Sequence, residues 1–224
     1  MSYRHLLILS GIVLIAFGAT EGGWLLMAAW LGVDFLIVGF AHGRGAHGVL
    51  GKRADGTLPW WSWVIFLPLV SYTTSVWYLL RLFERERAQS VVNDRLVIGR
   101  RLLASELEGE FENIVDLTAE FPEPRAIRVR SGYRCFPILD GGAPSQEALR
   151  SAVRGLRPGR TFIHCAQGHG RTGLFALAVL LDSGVARSIE DGLDMLRAVR
   201  PGIRLNREQH RCIQLYNGAV KPWP

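Results

Sequence analysis

At 224 residues the chain is long enough for one ordinary domain and something smaller, and its three widely spaced cysteines argue against a disulfide framework. The formal net charge of +6 is carried almost wholly by arginine, with Lys52 and Lys221 the only lysines. That balance fits anionic partners such as phosphorylated molecules or acidic lipid headgroups, and no repeat or low-complexity tract suggests a solenoid or disordered chain.

Leu6 to Phe40 is nearly all apolar, interrupted by Glu21-Gly22-Gly23 and by Asp34. It is too long for one span of about 20 residues, and the Glu-Gly-Gly break predicts a hairpin turn. A second apolar block, Trp60 to Phe83, has no charge before Arg81 and carries tryptophans and Tyr78 at its ends, the rings favoured at headgroup depth. Residues 1–83 are therefore expected to form a multi-pass membrane region of two or three segments, about 6–20, 24–40 and 60–82. Arg44, Lys52 and Arg53 in the connector are matched by Arg81, Arg85 and Arg87 beyond the last segment, so charge bias leaves the orientation open.

From Leu82 to Asn93 the sequence turns charged and predicts a helix leaving the bilayer, with 84–94 as linker. The soluble domain is expected over 95–220, with strands at Arg95–Gly99, Asn113–Leu117, Ala126–Val129 and Gly132–Leu139. Ser145 to Leu156 has helical spacing with Ser145 as N-cap and Glu147 in the first turn. A short buried strand, Thr161 to Cys165, then feeds a glycine-punctuated turn. Helices follow at about Thr172–Ser183, Ser188–Val199 and Asn206–Asn217. Strands followed by helices indicate an α/β layer structure, a central sheet flanked by helices.

The chemistry concentrates in His164-Cys165-Ala166-Gln167-Gly168-His169-Gly170-Arg171-Thr172. A thiol is a weak nucleophile until ionised; a helix N-terminus, a ring of loop N–H groups and Arg171 would all favour the thiolate of Cys165. Gly168 and Gly170 allow successive N–H groups to converge on an anion, and the planar fork of Arg171 can hold two phosphoryl oxygens at once. Thr172 is placed to hydrogen-bond the sulfur. This is a cradle in which a thiolate attacks phosphorus in line, giving a cysteinyl-phosphate.

The His-Cys-x5-Arg-Thr pattern resembles the loop of the protein tyrosine phosphatase superfamily, and the short domain, about residues 90–217, resembles its dual-specificity branch. The resemblance implies phosphomonoester hydrolysis without metal or cofactor, with His164 orienting the loop. Residues 166–171 would bind the substrate phosphate. It also implies an acid on an upstream loop that protonates the leaving oxygen and later activates water. Phe136 to Ser145 resembles that loop and makes Asp140 the acid; Asp116, Glu120 and Glu123 are weaker candidates. Val97-Ile98-Gly99, Ile114 to Thr118, and Pro201, Asn206 and Gln214-Leu215 are softer matches that imply structural roles.

Two other patterns are set aside. Gly168-x-Gly170-x-x-Gly173 formally fits a dinucleotide fingerprint, but the stretch about 20 residues on reads as helix rather than an acid-bearing strand. His164, Cys165, His169, His210 and Cys212 match no usual zinc spacing. Cys212 is expected to be a buried neutral thiol and Cys135 a strand-core residue. The loop lacks the lysines often found in members that take polyanionic inositol lipids; His169 either adds partial charge or packs at the rim. The expected substrate is a monophosphate on a protein side chain or a phospholipid headgroup, at a membrane and with the catalytic domain cytoplasmic. Nucleic acid is not an expected partner.

Overall fold

A computed structural model describes residues 3–218, so the expected domain end at 220 lies outside the described residues. The chain divides into two compact units. One holds residues up to Arg53, Thr57–Glu84 and Ala119–Pro122; the other holds Ala54–Gly56, Arg85–Thr118 and Glu123 onward.

In the first unit, α1 (Tyr3–Glu21) and α2 (Leu26–Arg44) form a hairpin turned by a 3-10 segment, Gly23–Leu25. The helices close on glycines. A Cβ at Gly11 would lie 2.7 Å from the Gly32 carbonyl oxygen, and one at Gly32 would lie 2.6 Å from that of Gly11. Gly18 and Gly39 repeat the arrangement against Ala29 and Ile8. Small residues at such a seam let apolar helices approach closely without polar side chains. Both helices, the second counted from Gly23, are long and apolar enough to cross a membrane.

The expected third segment, 60–82, is not one helix. It breaks at Phe66 into α3 (Trp60–Ile65) and α4 (Leu67–Phe83). Pro68 in the first turn of α4 has no N–H to give, and the free N–H of Leu69 donates to Asp34 Oδ2 at 3.2 Å. The indole of Trp30 donates to the Ile65 carbonyl at 2.8 Å, satisfying the end of α3. Asp34, the acid within α2, thus caps the broken helix.

The second unit is an α/β layer. Its sheet comprises β1 (Gln89–Asn93), β2 (Leu96–Arg100), β3 (Asn113–Thr118), β4 (Tyr133–Ile138) and β5 (Thr161–Cys165), in the order β1-β2-β5-β3-β4. Only β1 runs antiparallel to its neighbour. The expected exit helix over 82–93 is replaced by an extended segment and β1: Asn93 Oδ1 accepts from the N–H groups of Arg95 and Leu96, turning the chain back on itself. The expected strand at 126–129 is instead the short helix α5 (Arg125–Arg128), which buries Ile127 and exposes Val129. Helices α6 (Gln146–Arg154), α7 (Gly170–Asp182), α8 (Ile189–Val199) and α9 (Arg207–Gly218) fall where helices were expected. Ser145 caps α6 by accepting from Ala148 N–H at 3.2 Å. The core joins β2, β3 and β5 to α7, whose residues from Arg171 to Ala178 are all buried. The fully buried β5 therefore delivers Cys165 to the sheet's carboxyl edge, where α7 begins.

Candidate active site

Cys165 ends the central strand, 3 % exposed, and its sulfur accepts from the N–H of Gly168 at 3.3 Å. The loop carbonyls point outward, each held. Ala166 O accepts from Arg101 N–H at 3.2 Å, and His169 O from Gly173 N–H at 2.7 Å. Gln167 O and Gly168 O accept from Nη2 and Nε of Arg200, at 2.8 and 2.9 Å. In a trans peptide the carbonyl and the following N–H point opposite ways, so carbonyls tied to the outside turn the N–H groups of residues 167–170 inward. Gly168 has φ +77, and a Cβ there would sit 2.4 Å from the Gly99 carbonyl oxygen. Gly170 opens α7 with Gln209 packed against it. The result is an N–H-lined cradle at a helix N-terminus, the electrostatics an oxyanion requires.

Arg171 is 2 % exposed and reaches across to the loop after β4. Its Nη1 donates to Ile138 O at 2.9 Å and its Nη2 lies 3.0 Å from Asp140 Oδ1. Asp140 is 61 % exposed, in a turn closed by Gly142 N–H donating to Leu139 O at 2.8 Å. The start of α9 pins this turn. Asn206 Nδ2 donates to Gly141 O at 2.6 Å and Gln209 Nε2 to Gly142 O at 3.1 Å. Asn206 and Gln209 also cap the helix reciprocally through their own backbone N–H groups. The structure thus pairs Asp140 with Arg171, the residue that closes the loop begun by Cys165.

One expected contact differs. Thr172 Oγ1 is buried without a hydrogen-bond partner among the described residues, so it does not bond the Cys165 sulfur; the Gly168 N–H does. His169 has its Nε2 2.8 Å from Glu86 Oε2. His164, fully buried below the loop, stacks on Phe162 with Nε2 3.7 Å from Glu123 Oε1. Glu123, His164 and Asp116 form a buried group, in which Asp116 accepts from Tyr133 OH at 2.8 Å and from Thr118. Burial and then the Asp116 charge push the Tyr133 hydroxyl far above its ordinary range, so it remains the donor. Glu120, placed in the other unit, accepts from Ala119 N–H. Cys212 donates to Pro144 O, and burial, then the Glu147 charge, push its thiol up to about 11. Cys135 is half-buried on β4, and Cys135, Cys165 and Cys212 form no disulfide with one another.

Sequence reasoning missed Arg200, Glu86 and Gln209. Arg200 is completely buried, its guanidinium spent on the loop carbonyls, on Arg87 O and on Glu86.

No protein-family model matches the chain, and no curated protein matches it. Solved structures do, and their shared fold is that of the tyrosine and dual-specificity phosphatases. Tk-PTP in its active form is 24 % identical over 59 % of this chain and 98 % of its own, with a TM-score of 0.51. A variant of human DUSP28 is 18 % identical over 58 % of this chain and 94 % of its own, with a TM-score of 0.52. PTPMT1 is 14 % identical over 58 % and 94 %, with a TM-score of 0.50. The second unit therefore has a dual-specificity-phosphatase-like α/β fold, as the sequence implied.

Proposed function

We propose that the chain is a membrane-anchored, cysteine-dependent phosphatase that hydrolyses phosphomonoesters on protein side chains through a cysteinyl-phosphate. The observation that carries this reading is the cradle. A buried cysteine lies on its floor, its N–H groups face inward, and a buried arginine links it to an exposed aspartate.

In this reading the substrate phosphoryl group enters the ring of N–H groups, and its oxygens take the Arg171 fork. The Cys165 thiolate attacks phosphorus, the P–O bond to the alcohol or phenol breaks, and Asp140 gives its proton to the leaving oxygen. Asp140, now a carboxylate, takes a proton from water as that water attacks the phosphorus. Phosphate leaves and the thiolate returns. The Arg171–Asp140 contact fits this cycle, because a phosphoryl oxygen taking Nη2 would release the carboxyl to face the leaving group. His164, the residue directly before Cys165, orients the loop in this cycle.

Cys165→Ser in the full chain, in detergent micelles, is expected to abolish turnover of an aryl phosphate; retained turnover would sink the reading. Asp140→Asn should slow turnover about 100-fold for a poor leaving group and far less for a good one.

The membrane assignment is supported by two apolar helices of span length and by exposed Leu6, Ile12, Val13, Trp24, Leu82 and Phe83. That same feature favours a second substrate class, a phospholipid headgroup monophosphate, since a bilayer-held enzyme meets headgroups at high local concentration. Comparing phosphopeptides with vesicles carrying phosphatidylglycerophosphate or a phosphoinositide decides between them by kcat/KM.

A further inference from the structure

Resting on the phosphatase reading above, we propose that Glu86, in the segment directly following the last apolar helix, is a positioning residue for the phosphate loop. Helix α4 ends at Phe83, and the chain runs extended through Glu84 before Glu86 meets three groups. Its Oε2 lies 2.8 Å from Nε2 of His169, within the loop, and 3.2 Å from Nε of Arg200. Its Oε1 accepts from the N–H of Gly202 at 2.7 Å. The neighbouring Arg87 carbonyl accepts from Arg200 Nη1 at 2.8 Å, and the Ala88 carbonyl from Arg100 N–H at 3.1 Å.

The arrangement is specific. Arg200 has its guanidinium pointed at two loop carbonyls, and a buried guanidinium needs an anion beside it to stay there. Glu86 is that anion. It also fixes the His169 ring, which closes over Gly202 so tightly that a Cβ at Gly202 would lie 2.3 Å from Nε2. One carboxylate therefore holds the loop at two points, through His169 directly and through Arg200 at Gln167 and Gly168. Glu86 touches no substrate atom in this account. It acts by keeping carbonyls out and N–H groups in. The segment that connects to the apolar helices thus supplies part of the support for the catalytic loop.

The test uses the full chain in micelles and three readouts: thermal unfolding, tungstate affinity, and kcat and KM for an aryl phosphate. Glu86→Gln keeps shape and removes charge. It is expected to weaken tungstate binding and lower kcat/KM roughly ten- to hundredfold, with a cooperative melt retained. His169→Gln should give part of the same loss, and the double variant should lose less than the product of the two single effects. Glu86→Asp should recover less than half of the loss, since its shorter arm cannot reach both Gly202 and His169. Unchanged tungstate affinity and kcat/KM in a folded Glu86→Gln protein would overturn the proposal, as would strict independence of the two single effects. If Glu86→Gln does not fold, Glu86→Asp decides by the same two readouts, because it keeps the charge and shortens the arm that reaches Gly202 and His169. If the unaltered protein binds tungstate but turns over no aryl phosphate, the phosphatase reading fails while the tungstate comparison still decides the role of Glu86.

Discussion

Glu86 and Gly168 illustrate how differently two residues of one site are written in a sequence. Gly168 sits inside a short motif whose spacing alone announces a turn, and its φ of +77 and close approach to Gly99 follow from the loop's need to fold inward. Cys165, Arg171 and Asp140 were legible for the same reason, because each lies at a recognisable strand or helix boundary. Glu86, Arg200 and Gln209 were not, since their partners are distant in the chain and a lone charged residue looks like surface. The environment of Glu86 gives it a pH signature. Burial raises its carboxyl, but the hydrogen bonds from His169 and Gly202 and the charge of Arg200 outweigh burial and hold it below the usual carboxylate range. A carboxyl depressed in the folded state contributes stability that is fully present above its unfolded pKa, about 4.3, and is lost as pH falls through the folded value. The gap in unfolding temperature between the unaltered protein and Glu86→Gln should therefore shrink as pH falls below about 4.3. Measuring both proteins by calorimetry across that range checks it; a gap that widens on acidification contradicts the assignment.

Among the elements, those with strong periodicity or a capping residue were legible. Helix α6 with its Ser145 cap and α7 with its continuous apolar run are the clearest cases. Two short elements were misread because charge and β-branching mislead over so few residues. Arg-rich 125–128 alternates like a strand, yet Pro124 starts a helical turn there that buries Ile127 alone. The charged run after Phe83 resembles a helix, yet it contains β1, which pairs with β2 through Gln89–Asn93. The break between α3 and α4 was hidden because it depends on Asp34, which is far away in sequence. Asp34 leaves the Leu69 N–H satisfied where the helix has lost its own partner, and Asp34 is itself almost wholly buried. Asp34→Ala strands that N–H in an apolar setting. It should destabilise the first unit by about 1–3 kcal/mol, read as a lower unfolding midpoint in micelles. Asp34→Asn keeps an acceptor oxygen and should recover most of the loss; equal effects of the two substitutions would show that Leu69 does not depend on that oxygen.

At the scale of the whole molecule, the two units follow different rules for burying apolar surface. The second encloses its apolar side chains between sheet and helices, with Ile98, Ile114, Phe162 and Leu174 fully buried. The first leaves Val13 65 %, Trp24 82 % and Phe83 74 % exposed, and its α1–α2 hairpin closes on glycines. A soluble protein seldom exposes a continuous apolar face of that extent, whereas hydrocarbon chains would cover it at no penalty. The glycine seam favours the same solvent, because in water such a narrow interface would bury too little apolar area to hold two helices together. The expected outcome is that the full chain sediments with membranes, resists alkaline carbonate extraction, and enters solution only with detergent. Reconstituted protein should float with liposomes in a density gradient, and Gly32→Leu, which drives the helices apart, should lower its unfolding midpoint without releasing it. Quantitative extraction of the full chain by carbonate would mean that another partner covers those residues, and the anchor assignment would fall while the cradle chemistry of the second unit stood.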